Sequence, residues 1–314
     1  MSGGVICVVG PTASGKTALS VALAKALDGE VISCDSMQIY RGMDVGTAKP
    51  TDAEMQGIPH HMLSVADPDE AFSAGKYAAM ADPILQDILR RRKTAIVCGG
   101  TGLYMDALIS GRAFAPHPAD GIREAIEAEF DARGAEAMLQ QLSQIDPAAA
   151  ARLHPADRKR IVRALEIFRQ TGETITEHDR KTKLLPPKYR AAWIGLTYSD
   201  RAELYARIDA RVDEMMRLGL ENEVRQLLAQ GISPDATAMQ AIGYKELAAA
   251  LRGEITMEDA AAQIKLGSRR YAKRQLTWFR RNEAVFWIDR TKNADFSAVL
   301  SLARQHLTAF GDHE

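Results

Sequence analysis

Residues 4–17 read GVICVVGPTASGKT, and this stretch decides the fold. The apolar run at residues 4–9 reads as a buried strand, and residues 17–27 read as an amphipathic helix. Between them Gly10, Pro11, Thr12, Ala13, Ser14, Gly15, Lys16 and Thr17 match G-x-x-x-x-G-K-[ST] at every required position. The two glycines allow a tight loop whose backbone N–H groups face an anion, and the helix start adds its positive dipole end. Lys16 supplies a full charge to phosphate oxygens, and the Thr17 hydroxyl is placed to coordinate magnesium (Mg²⁺). A glycine turn without a ligand is the bland alternative, and the strand–loop–helix context weighs against it. The motif predicts a diphosphate or triphosphate ligand without naming a reaction.

Working outward, short apolar runs at 30–34 and 94–98 alternate with a helical pattern at 73–92. β-rich runs joined by helices predict an α/β fold with a parallel sheet covered by helices. Two prolines in RAFAPHP (112–118) break this pattern, and residues 121–172 read as helices, with 180–190 as a loop. A strand at 191–197 resumes the sheet. Helices at 201–217, 220–229, 243–251 and 256–280 follow, with a last strand near 284–289. The expected organisation is a catalytic core of residues 1–113 and 191–314 carrying an inserted all-helical domain, 114–190. The tail after about 291 yields no assignment.

Composition bounds the class. The chain has 314 residues, 46% hydrophobic and 26% charged, with a formal net charge of -1. That apolar fraction builds a core and excludes a disordered or collagen-like chain. No apolar run reaches the roughly 18 residues a membrane span needs, and the opening MSGGVICVVG has no basic region or cleavage site. Cys7, Cys34 and Cys98 each sit in an apolar run, and an odd count argues against a disulfide framework. A reducing, cytoplasmic setting is expected.

Several side chains are candidates for chemistry. Asp35 follows the second strand, at the edge where open parallel sheets bind ligands. It could hold Mg²⁺ through water, accept a proton from a nucleophile, or cap the following segment. Gly99-Gly100-Thr101-Gly102 ends the third strand, where glycines would let a second substrate approach the backbone; a plain strand-to-helix turn is the alternative. His60-His61 is a weak metal pair, because adjacent residues on extended chain point to opposite faces.

Two helices are basic. In 156–170, Ile161, Val162, Leu165 and Phe168 share one side, with Lys159, Arg160 and Arg163 on the other. Residues 152–190 hold eleven Lys/Arg against five Asp/Glu, and 265–281 hold seven Lys/Arg and no acid. Such faces are either solvated surface or a footprint for a phosphate backbone, and two in one chain favour nucleic acid. Arg207 and Arg211 lie i,i+4 on one helix face, suited to a diphosphate or to surface ion pairs.

GPTASGKT, ISCDSMQIYRGMDVGTAKP, IPHHML, VCGGTGLY, RALEIFRQTG, QAIGYKE and KRQLTWFRR occur here in an order and spacing that resemble the bacterial tRNA dimethylallyltransferase family, also called tRNA isopentenylpyrophosphate transferases. The resemblance spans residues from about 4 to 289. It implies transfer of a dimethylallyl group from dimethylallyl diphosphate to N6 of adenine 37 in tRNAs reading codons that begin with U. It further implies that Asp35 hydrogen-bonds the adenine amine and accepts its proton, that Thr17 binds diphosphate or Mg²⁺, and that Arg211 contacts diphosphate beside Lys16, with Arg207 less defined. Asp35, Ser36, Met37, Gln38, Thr101, Arg123, Lys159, Arg160, Ile161, Val162, Arg163, Gln240, Ala241, Ile242, Gly243, Tyr244 and Lys245 match stretches that contact tRNA in the family. The implied partner is the anticodon stem-loop, with no membrane and a monomeric enzyme. The rivals are a P-loop small-molecule kinase, a prenyltransferase of free adenine nucleotides, and a nucleotide-switched RNA-binding protein without chemistry.

Overall fold

The computed structural model describes residues 4–111, 121–184 and 186–311. Six parallel strands, β1 (Val5–Val9), β2 (Gly29–Ser33), β3 (His60–His61), β4 (Thr94–Gly99), β5 (Ala191–Thr197) and β6 (Val285–Asp289), form one sheet in the order β3-β2-β4-β1-β5-β6. Every residue of β1 is buried, because helices cover both faces of a parallel sheet and leave the strand no polar side. The register pairs Val8 with Cys98 and Ile194, and Ser33 with Cys98. The segments after β1, β2 and β4 therefore leave the same carboxyl edge side by side. The α/β expectation holds.

The core helices are α1 (Lys16–Ala26), the short α2 (Asp52–Met55), α3 (Ala74–Arg90) and α4 (Gly102–Ile109). Between α4 and β5 lie α5 (Ile122–Arg133), α6 (Ala135–Ile145), α7 (Pro147–Ala150), α8 (Arg158–Thr171) and α9 (Ile175–Leu184). Beyond β5 come α10 (Arg201–Arg217), α11 (Leu220–Ala229), α12 (Tyr244–Leu251), α13 (Met257–Phe279) and, after β6, α14 (Phe296–Gly311). No described helix is long and apolar enough to cross a membrane.

Contacts divide the chain into two compact units, Met1–Gly111 with Lys188–Glu314, and Arg112–Pro187. The first closes on itself where the second leaves: Tyr189 N–H donates to Ile109 O at 3.1 Å. A Cβ on Gly111 would stand 2.9 Å from that of Lys188. The second unit has its own core, with Ile126, Phe130, Met138, Leu142, Ile161, Val162 and Leu165 buried together.

Two elements differ from the sequence reading. Residues 175–184, of which 180–184 were expected in a loop and the rest had no assignment, form α9, whose run ITEHDRKTKL has apolar side chains only at its ends and so shows no helical periodicity. Packing against α7 and α8 supports it instead. The unassigned tail contains α14, which buries Val299, Ala303 and Leu307 against α1 and the sheet. Their i,i+4,i+8 spacing was a readable helix signal.

Candidate active site

The loop between β1 and α1 is held open by its glycines and by bonds to its own backbone. Gly10 has φ +142°, and a Cβ there would fall 2.5 Å from Leu196 O, so no larger residue fits beside β5. Gly15 takes φ +90° directly before α1. Ser14 Oγ and Lys16 Nζ both donate to Pro11 O, at 2.8 and 2.7 Å, which curls the loop around its amides. Ala13 stands at φ 62°, and Arg207 Nε donates to its carbonyl at 3.3 Å. Burial lowers the Lys16 ammonium to about 8. Burial also depresses Arg211, which stays a cation because a guanidinium starts so high. Among the described residues neither Lys16 nor Arg211 makes an ion pair with a carboxylate.

Both cations line a cavity of about 830 Å³, together with Thr12–Ala18, Asp35–Gln38, the 44–51 loop and Tyr271. Asp35, two residues past β2, accepts the Met37 N–H at 2.9 Å and the Gln38 N–H at 3.4 Å, both on Oδ1. It therefore caps its own turn, as one sequence reading allowed, while its bonds leave Oδ2 without a described partner. Capping and ligand binding are compatible on one carboxylate. Ser36 N–H donates to Thr101 Oγ1 at 3.0 Å. Gln38 is bound at both ends of its amide: Ser33 Oγ donates to it at 2.9 Å, and it donates to Thr47 O and Ala48 O at 3.2 and 3.1 Å.

The glycines after β4 are filled from within the protein. A Cβ on Gly99 would lie 2.0 Å from Cys34 O, one on Gly100 1.9 Å from Gln275 Nε2, and one on Gly102 2.1 Å from the Trp278 ring. These glycines admit close packing of Cys34 and of α13, and Gly99 also lines the cavity. Burial, with the Asp35 charge adding to it, pushes the Tyr271 phenol up to about 12. His60 and His61 are separately engaged, His60 Nδ1 with Ile58 O at 2.8 Å and His61 Nε2 with Glu30 Oε2 at 2.9 Å. No group of three or more His, Cys, Asp or Glu that could hold a metal occurs among the described residues. A cation at the phosphate loop would rest on one hard side-chain oxygen, Thr17 Oγ1, which lines the cavity beside Lys16. That sparse set suits Mg²⁺, which keeps waters and takes phosphate oxygens.

Comparison with known proteins fits this geometry. A family model described as IPP transferase matches residues 38–282. The tRNA dimethylallyltransferase of Symbiobacterium thermophilum is 48% identical over 306 residues, covering 96% of this chain and 95% of the relative. That of a Thermoanaerobacter species is 45% identical over 293 residues, covering 92% and 93%. The chain belongs to the tRNA dimethylallyltransferase family. Solved structures of similar proteins agree. The full-length tRNA isopentenylpyrophosphate transferase of Bacillus halodurans has a TM-score of 0.73 at 43% identity, covering 98% of this chain and 96% of that one. A eukaryotic dimethylallyltransferase acting on tRNA has a TM-score of 0.82 at 28% identity, covering 98% and 80%.

Within this family member, the residues expected to touch tRNA fall into two groups. Lys159 and Arg160 are exposed on α8, and Lys245 and Gln240 are exposed at the start of α12 and just before it. Ile161 and Val162 are 0% and 1% exposed in the core of the helical unit. Their side chains hold α8 in place and cannot meet an RNA, which corrects that expectation. Tyr244 is likewise 0% exposed, and Ala241 and Gly243 are buried. Tyr244 Oη donates to Glu223 Oε1 at 2.5 Å, and Gly243 N–H donates to Glu246 Oε2 at 2.7 Å. Ile242 is half-buried and lines the cavity. Arg163 and Arg123 both reach Glu166 Oε2, at 2.8 and 3.3 Å, and that carboxylate is buried. These two arginines neutralise an internal charge first.

Glu223 went unnoticed in the sequence. It accepts three consecutive N–H groups, from Asp44 and Val45 at 2.8 Å and Gly46 at 3.1 Å, and so pins the 44–51 loop that walls the cavity. Gln275, whose amide bonds Thr12 N–H and Gly100 O, was also missed. Nothing local gives either one its task, because the loop N–H groups bound by Glu223 and the backbone groups bound by Gln275 lie 175 residues or more away.

Proposed function

We propose that this chain transfers a dimethylallyl group from dimethylallyl diphosphate to N6 of adenine 37 in tRNAs that read codons beginning with U, giving N6-isopentenyladenosine and diphosphate. One observation carries the reading. Two cations without carboxylate partners, Lys16 and Arg211, share one cavity with the half-engaged carboxylate of Asp35. Adenine N6 is a poor nucleophile, since its lone pair is conjugated into the ring, so the electrophile must ionise. The allylic C–O bond breaks with its electron pair leaving on diphosphate. Lys16, Arg211 and the loop amides stabilise that developing charge in a low-dielectric site. As the N6–carbon bond forms, N6 loses a proton, and the Asp35 carboxylate accepts it. Thr17 would hold Mg²⁺, whose charge would further stabilise the diphosphate.

The acceptor base must leave its stack to enter such a cavity, which costs a few kcal/mol and is easiest in a loop. Exposed Lys159 and Arg160 on the helical unit support an anticodon stem-loop as partner, through its phosphates. The proposal has the enzyme acting as a monomer in the cytoplasm, where its tRNA is.

The test is transfer of labelled dimethylallyl from its diphosphate to unmodified anticodon stem-loop RNA, with AMP and an A37→G loop in parallel and no ATP. Label on the adenine loop alone is expected. Label on AMP alone would replace this reading with a free-nucleotide prenyltransferase. No label from folded protein with Mg²⁺ would revive the kinase.

A further inference from the structure

Gln275 on α13 is 5% exposed, and both atoms of its amide are engaged across the fold. Its Oε1 accepts the Thr12 N–H at 2.9 Å, and its Nε2 donates to Gly100 O at 3.1 Å. One end therefore holds the phosphate loop. The other holds the turn after β4, whose next residue, Thr101, accepts the Ser36 N–H beside Asp35. Tyr271, one helical turn earlier on the same face, lines the cavity in company with Gln275. The turn is shaped for this contact, since a Cβ on Gly100 would meet Gln275 Nε2 at 1.9 Å.

We propose that Gln275 is a positioning residue for group transfer, an amide strut that sets the spacing between the phosphate loop and the Asp35 segment. The inference rests on the transferase reading above. An amide is suited to the task because it accepts and donates from adjacent atoms. Remove either atom, and the part-buried Thr12 N–H or the buried Gly100 C=O loses its partner and the loop can shift. Displacement at carbon needs reacting atoms about 3–3.5 Å apart, so a shift of about 1 Å costs roughly a hundredfold in rate.

Gln275→Met keeps the volume and removes both hydrogen bonds, whereas Gln275→Glu keeps an acceptor for Thr12 and sets an oxygen against Gly100 O. The measurement is the single-turnover rate at saturating diphosphate and stem-loop, alongside the stem-loop Kd and the melting temperature. Both variants are expected to lose about tenfold or more in the saturated rate, with stem-loop affinity unchanged. A saturated rate equal to wild type in either folded variant overturns the proposal. So does a loss confined to stem-loop Kd, which would make Gln275 an RNA contact or a packing residue. If Gln275→Met does not fold at the assay temperature, Gln275→Glu decides by the same criteria. If the wild type transfers nothing, it is the function that fails. The strut is then judged by the Kd of inorganic diphosphate, where weakening by about fivefold in the variants supports it and no change sinks it.

Discussion

In the proposed reaction Asp35 does two things at once, and its two oxygens divide the work. Oδ1 is committed to the turn through Met37 and Gln38, so substitution disturbs local geometry as well as chemistry. Asp35→Ala is expected to lower the single-turnover transfer rate at least about a hundredfold, the lower end for acid–base catalysis. Asp35→Asn, which keeps an acceptor for the turn, should lose nearly as much. If Asp35→Asn transfers at the wild-type rate, the carboxylate is a cap and no proton acceptor. At this scale the sequence was half legible. Lys16 and Thr17 stood out because a loop motif is contiguous. Asp35 could be located by its place after a strand, yet its role as cap, base or ligand depended on which oxygen was engaged. Gln275 stood inside KRQLTWFRR without a role and Glu223 stood in no motif, since their bonds span 263 and 179 residues at the extreme.

Helix α8 illustrates the same limit for elements. The periodicity of Ile161, Val162, Leu165 and Phe168 marked an inward side, and the structure buries the first three while Phe168 is half-buried. Residues matched to a motif as one block, 159–163, then separate by face: the apolar pair turns inward, Arg163 turns to Glu166, and Lys159 and Arg160 remain for solvent or a partner. A contiguous motif on a helix cannot be a contiguous surface. Arg160→Ala is accordingly expected to weaken stem-loop binding and to reduce the slope of log Kd against log salt by roughly one charge. Ser substituted at the exposed Glu136 of α6 serves as a control. An Arg160→Ala slope identical to wild type would return α8 to ordinary solvated surface. For helices whose stability comes from tertiary docking, such as α9, composition carries no such pattern to read.

Across the whole molecule, the sheet is anchored outside the cavity lining by a buried carboxylate. Glu30 on β2 receives Arg91 at 2.5 and 2.9 Å and His61 at 2.9 Å. The Arg91 hydrogen bonds hold its carboxyl down at about 2, against an ordinary glutamate near 4.3. The folded state therefore binds this proton less readily than the unfolded chain. The stabilisation is present in full above about pH 5 and is lost as pH falls through the folded value, up to about 3 kcal/mol in all. Glu30→Gln should thus be less stable than wild type at neutral pH and should lose less between pH 5 and 2.5 in denaturant titrations. Parallel pH–stability curves for the two proteins would show that the network contributes nothing. The parallel order of the sheet was readable from alternating strand and helix patterns, but β3, two residues long, was too short to announce itself.

The meeting of Ile109 and Tyr189 has a consequence for the history of such chains. Because the strand-bearing unit is already stitched together where residues 112–187 depart, that excursion is a detour hung on a closed doorway. A segment attached this way can lengthen, shorten or be exchanged at little entropic cost to what lies behind it. Change in the appendage can then proceed while the sheet behind it is left undisturbed.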